Sequence, residues 1–300
     1  MKSTSLLQPL AHPTAERHGV RLLLWRDDLL HPDLPGNKAR KLKYNLLAAR
    51  EQGHTRLLTF GGAYSNHLAA VAAAGRLFGF ETIGLVRGEE HQPLNPTLAR
   101  CQADGMHLHY LDRTTYRHRA EPEFLAQLQQ QYGPAYLLPE GGTNALALRG
   151  IAELIGELRQ NTDFDAVAVA AGTGGTLAGL ALGLAQAQYP ARAVGVAALK
   201  GADFLRAEID ALTQAAAGLT LTNYELHTGY HFGGYAKLPA ELRQLIQQFE
   251  ADFGVLLDPI YTSKLLAGVL DLIAQGHFAR GSTVVAVHTG GLQAWAGFIQ

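Results

Sequence analysis

An α/β protein with parallel sheets flanked by helices is the fold class the sequence predicts, and three observations carry it. Short β-branched or leucine-rich runs alternate with longer helical patterns through most of the 300 residues. Residues 166–188 read as a buried strand, a glycine-rich turn and a buried helix in succession. Hydrophobic residues at 47% against 17% charged supply one or two cores and leave no compositional case for disorder.

In chain order the expected strands are Arg56–Phe60, Thr82–Val86, His107–Leu111, Tyr136–Leu138, Ala166–Ala170, Ala193–Ala197 and Thr283–Val287. Between them the expected helices are Lys38–Glu51, Ser65–Phe78, Asn95–Ala103, Pro122–Gln131, Asn144–Gln160 and Thr176–Gln188. Gly36 signals a turn, Asn37 suits an N-cap, and Gly53 ends the first of these helices. Pro139-Glu140-Gly141-Gly142-Thr143-Asn144 is the clearest break in the pattern.

A net charge of −1 gives no electrostatic case for nucleic acid or an anionic membrane. The single cysteine, Cys101, excludes an intrachain disulfide and fits a reducing compartment. Met1 to Leu6 lacks the apolar run of a secretory leader. Ala166 to Ala191 carries no charge and is long enough to span a bilayer, but Gly172, Gly174 and Gly175 interrupt it. A cytoplasmic protein is expected.

Three clusters carry chemistry. Lys38 and Leu42 share a helix face, which points the lysine inward, near a helix N-terminus whose dipole disfavours a cation. The alternative is a solvated basic face made by Lys38, Arg40, Lys41 and Lys43. Gly172-Thr173-Gly174-Gly175-Thr176 opens into a helix and suits a phosphate, with a purely structural turn as the alternative. A dinucleotide is disfavoured, because the next strand ends Val196-Ala197-Ala198-Leu199-Lys200 with no acid for a ribose. Ser65 and Asn66, after Phe60-Gly61-Gly62-Ala63-Tyr64, sit where a substrate carboxylate can dock; an ordinary Ser N-cap is by itself the commoner explanation of the serine. A reactive lysine plus a phosphate cradle is what pyridoxal phosphate needs.

With Asp258-Pro259-Ile260-Tyr261-Thr262 and His288-Thr289-Gly290-Gly291, these motifs in this order resemble the family of 1-aminocyclopropane-1-carboxylate (ACC) deaminase and D-cysteine desulfhydrase. The resemblance runs from about Leu24 to about Leu292. It implies the two-domain tryptophan-synthase β-like fold (type II pyridoxal-phosphate enzymes), with 1–45 and 150–300 as the larger domain and 46–149 as an inserted smaller one. It implies that Lys38 binds the cofactor covalently, Asn66 meets its ring hydroxyl, and Gly172, Thr173, Gly174, Gly175 and Thr176 hold its phosphate. Ser65 and Tyr261 are then the residues acting on a small amino-acid substrate, and a homodimer is expected. Deaminases of the family have Glu and Leu where this chain has Thr262 and Thr289, a pattern that looks like the desulfhydrases. A hydroxyl there can donate to the pyridine nitrogen without supplying negative charge. The resemblance therefore implies a β-eliminating lyase most like D-cysteine desulfhydrase, with ACC ring opening as the alternative. A non-catalytic pyridoxal-phosphate carrier would need neither Ser65 nor Tyr261.

No metal site is expected. His107 and His109 share a strand face without a third ligand, and His227 and His231 are four apart where Gly229, Gly233 and Gly234 disfavour a helix. The aromatic loop Gly229–Tyr235 fits a cleft entrance, a subunit contact or a packed surface loop.

Overall fold

The structure, a computed structural model, describes residues 6–34 and 36–298; residues Met1–Ser5 of the leader reading lie outside that range. Ten strands run along the described chain: β1 Leu7–Pro9, β2 Arg21–Trp25, β3 Arg56–Gly62, β4 Glu81–Arg87, β5 Met106–Leu111, β6 Tyr136–Leu138, β7 Ala166–Ala171, β8 Arg192–Ala197, β9 Tyr224–His227 and β10 Thr283–Val287. The α-helices are α1 Pro13–His18, α2 Asn37–Glu51, α3 Asn66–Phe78, α4 Pro96–Ala103, α5 Pro122–Tyr132, α6 Ala145–Arg159, α7 Gly175–Gln186, α8 Leu205–Ala217, α9 Ala240–Phe253 and α10 Thr262–Ala274.

Two sheets result. One has six strands in the order β1-β2-β10-β7-β8-β9, parallel except for the β1–β2 pair. The other, β5-β4-β3-β6, is wholly parallel and built only from residues 56–138. Alternation drives the layering. In β7, Val167 and Val169 enter a core with Leu148, Ile151 and Leu177, while Ala166, Ala168 and Ala170 enter another with Leu265, Leu266 and Val269. That strand is buried at every position, as its unbroken apolar sequence requires.

The expected boundaries at 45/46 and 149/150 fall inside α2 and α6. Leu42, Leu46 and Ala49 of α2 pack into the core of the four-stranded sheet, and the helix's other side lies against α6. A Cβ on Gly150 would stand 2.0 Å from Arg40 O, so only glycine lets α6 come this close. That contact fixes where α2 presents its N-terminus.

Three strands and four helices were not anticipated from sequence: β1, β2, β9, α1, α8, α9 and α10. β2 is a leucine run without a β-branched residue, and β9 is a four-residue edge strand containing Glu and His. Among the described residues no helix is long and apolar enough to cross a membrane.

Candidate active site

The C-terminal ends of β3, β7 and β10 and the N-termini of α2, α3, α7 and α10 converge on a cleft of about 1590 Å³. Strand ends and helix N-termini are where parallel α/β folds collect ligands, because unpaired N–H groups and positive dipole ends point there.

α2 is set by a jammed backbone contact. Gly36 takes φ 70 and ψ −156, and a Cβ on it would lie 1.7 Å from Thr289 O. Gly36 is therefore the N-cap residue, and the expected capping by Asn37 is corrected. Asn37 is already helical, and its Nδ2 donates to Thr176 Oγ1 at 2.8 Å, tying α2 to the start of α7. Lys38, one residue on, lines the cleft, with Nζ 3.5 Å from Gly141 O. Burial lowers its amine to about 8.

The solvated-basic-face alternative fails for two of its four members. Arg40, 6% exposed, is clamped by Asp27 and Glu157 at 2.7–3.2 Å. Lys41, 2% exposed, donates to Thr143 Oγ1 at 2.9 Å and Gly141 O at 3.2 Å. No carboxylate pairs with it among the described residues, and burial followed by the Lys38 charge holds its amine well below the usual range. Lys43 is the surface member, paired with Glu153 at 2.7 Å.

Beside Lys41 lies the glycine turn. Gly172, Thr173, Gly174 and Thr176 line the cleft, and Gly175 begins α7 behind them. A Cβ on Gly175 would sit 2.5 Å from Thr143 Cγ2 and 3.2 Å from Lys41 Nζ. The Thr173 and Thr143 hydroxyls are 2.8 Å apart. Sequence reading gave Lys41 no role; only the fold brings its buried amine to this cradle.

Across the cleft Ser65 is the N-cap of α3, its Oγ accepting from His67 N and Leu68 N at 3.2 Å each. The capping reading of Ser65 holds, and its hydroxyl proton stays available. Asn66 Oδ1 is buried with no hydrogen-bond partner. Its Nδ2 lies 2.8 Å from where a Gly291 Cβ would be, so the amide abuts the turn after β10.

Tyr261 packs against Gly172, with Cε1 2.9 Å from that residue's Cβ position. Burial first, then Tyr235, Asp258 and Glu140, push its phenol well above the usual range. Tyr235 packs edge-on at 6.1 Å and also lines the cleft, so the aromatic loop does reach the entrance. Fully buried Lys264 anchors that loop, donating to Gly234 O at 2.7 Å and to Ala198 O at 3.1 Å.

Thr262 is the second correction. Its hydroxyl donates to Asp258 Oδ2 at 2.6 Å and accepts from Asp258 N at 2.9 Å, and the residue is 1% exposed outside the cleft lining. In this structure the hydroxyl proton is engaged by Asp258 inside the chain. Asp258 also accepts from Ile260 N, Tyr261 N and Thr262 N at 2.7–2.9 Å, capping α10 and aiming Tyr261. Thr289 does line the cleft, next to Gly290, whose N–H donates to His288 Nδ1 at 3.1 Å.

Together these residues fit pyridoxal phosphate. The cradle excludes side chains, a buried lysine without an acid waits beside it, and the Asn66 carbonyl oxygen lacks a donor such as a ring hydroxyl.

Known proteins agree. A Yersinia pestis D-cysteine desulfhydrase is 32% identical over 294 residues, covering 92% of this chain and 88% of its own length. A Pyrococcus horikoshii protein provisionally named ACC deaminase is 31% identical over 279 residues, covering 91% and 85%. The crystal structure of an ACC deaminase homologue matches with a TM-score of 0.85 and 31% identity, over 96% of this chain and 90% of that one. A threonine deaminase isoform from Solanum lycopersicum, 18% identical with a TM-score of 0.69 over 94% of this chain and 82% of that one, shares the fold. Matched by the family over residues 6–290, the chain belongs to the pyridoxal-phosphate dependent enzymes of type II fold, in the group of ACC deaminases and D-cysteine desulfhydrases.

Proposed function

We propose that the chain is a lyase that eliminates the β-substituent of a small amino acid, most like D-cysteine desulfhydrase, turning D-cysteine and water into pyruvate, sulfide and ammonia. The observation that carries the reading is the Lys38 amine, lowered to about 8, in one cleft with a glycine-rich turn at a helix N-terminus and a buried tyrosine.

Lys38 would hold the cofactor through its amine, Lys41 and Gly172–Thr176 its phosphate, Asn66 its ring hydroxyl and Thr289 its ring nitrogen. When bound, the cofactor supplies an electron sink for negative charge at the substrate's Cα. Ser65 and the N-terminal turn of α3 dock the substrate carboxylate. Lys38, as a neutral amine, takes the Cα proton; its lowered pKa keeps a usable neutral fraction. Tyr261 stays protonated because it is buried, so it can donate its proton to the departing group.

Elimination is favoured over ring opening because, among the described residues, no free carboxylate stands near the start of α10. Asp258 is the acid there, and its oxygens already accept four hydrogen bonds. A ring nitrogen facing a hydroxyl gives a weaker sink, sufficient for a good leaving group and poor for an unactivated cyclopropane. The lobes expected at 1–45 with 150–300 and at 46–149 would then form the two walls of the cleft, and a homodimer remains part of the proposal.

Sulfide and pyruvate release by the cofactor-loaded protein tests this, with D-cysteine, L-cysteine and ACC compared. D-selective sulfide release is the expected result. Turnover of ACC to a 2-oxo acid without sulfide release from D-cysteine would replace the reading with the deaminase.

A further inference from the structure

β9 is one of the two edge strands of the six-stranded sheet. Glu225 and His227 stand two apart on it, so their side chains leave the same face, and Leu226 between them enters the core on the other. His277 joins them from the end of α10, fixed by Gly276 at φ 75 and by a bond from His277 N to Leu272 O. His277 Nε2 is 2.9 Å and His227 Nε2 3.3 Å from one carboxylate oxygen, Glu225 Oε2. Arg192 Nε holds the other oxygen at 2.8 Å. The imidazole rings are perpendicular, at 89°, with centroids 5.2 Å apart. None of the three residues lines the cleft.

We propose that Glu225, His227 and His277 form a binding site for a divalent zinc-like cation that clamps β9 to the C-terminal end of α10. Two imidazoles and a carboxylate are a zinc donor set. At bonds of about 2.0–2.2 Å, tetrahedral ligands stand roughly 3.3–3.6 Å apart. Both Glu–His separations are already near that spacing, and all three donor atoms lie within 4.8 Å of one another. Closing the remaining gap between the imidazole nitrogens takes at most about 1.5 Å, within reach of the exposed His277 side chain. Arg192 orients the carboxylate so that one oxygen faces the two rings, as an outer-shell partner does. Without metal the same atoms form hydrogen bonds to Glu225. Binding requires both Nε2 lone pairs, so the ring protons move to Nδ1 or are released. The fourth position is open to water. Sequence spacing pairs His227 with His231; the fold pairs it with His277 instead.

Calorimetric titration of zinc chloride into chelator-stripped holoenzyme tests the site, with His277→Ala and Glu225→Gln beside the wild type. One saturable equivalent per chain in the wild type, weakened at least about tenfold in both variants, is expected. No saturable binding by the wild type, or unchanged affinity in either variant, overturns the proposal. Bound-cofactor absorbance equal to wild type identifies each variant as folded, and if one fails to fold the other decides.

Discussion

Replacing Lys38 with methionine should stabilise the cofactor-free protein while abolishing cofactor capture. A lysine whose pKa falls on folding costs stability in full below its folded pKa, and the cost fades as pH rises from there to the unfolded value. The unfolded chain binds the extra proton between about 8 and the ordinary value of 10.5, so native stability rises with pH across that window. A fall from 10.5 to about 8 corresponds to about 3 kcal/mol at neutral pH. Lys38 keeps part of its side chain in contact with solvent, and screening reduces the expected gain in Lys38→Met to about 1–3 kcal/mol. Relief of the Lys41 amine, which feels the Lys38 charge, acts in the same direction. Urea unfolding of both proteins without cofactor, followed by tryptophan fluorescence at pH 7 and pH 10, measures it. The advantage should be present at pH 7 and shrink by pH 10. A variant no more stable than wild type at pH 7, or an advantage independent of pH, would refute a buried, destabilised amine.

Other variants separate the roles assigned to neighbouring residues. Lys41→Met should weaken cofactor binding by about 10- to 100-fold, roughly the 1.5–3 kcal/mol of a charge-assisted hydrogen bond, read by absorbance titration; unchanged affinity removes Lys41 from the cradle. Tyr261→Phe should lower kcat for elimination by about 10²-fold or more with cofactor affinity retained, and wild-type kcat would exclude it as the proton donor. Thr262→Val should cost about 1–3 kcal/mol of stability by stripping Asp258 of a buried partner, while leaving the absorbance of the bound cofactor in place. A changed spectrum with unchanged stability would return Thr262 to the ring. Lys264→Met should unseat the loop carrying Tyr235 and lower kcat more than it raises KM; equal kinetics would make the lysine purely structural.

Much of this architecture was legible because strand and helix periods agree with the local composition. The seven strands that were read all appear, since β-branched runs such as Val167-Ala168-Val169 are buried on both faces and bounded by turns. α10 was not legible because its cap is Asp258, four residues before the helix, reaching three successive N–H groups. Asn37 looks like a cap by residue type, but Gly36 alone can take the positive φ against Thr289 O. Lys41 hides in a basic run, and its burial is decided by Thr143 and Gly141, about a hundred residues downstream. Thr262 and Thr289 look alike as motif positions and differ only in what the fold leaves their hydroxyls to do.

The contact between Gly36 and Thr289 also sets an order of events. β10 lies between β2 and β7, so the middle of the six-stranded sheet is filled by the strand that comes last along the chain. Without β10 in place, the carbonyl that seats the start of α2 is absent, and Lys38 loses its fixed position. Pairings this distant in sequence form slowly, because loop closure precedes their reward. A start of α2 seated on Thr289 O therefore depends on both halves of the six-stranded sheet having joined.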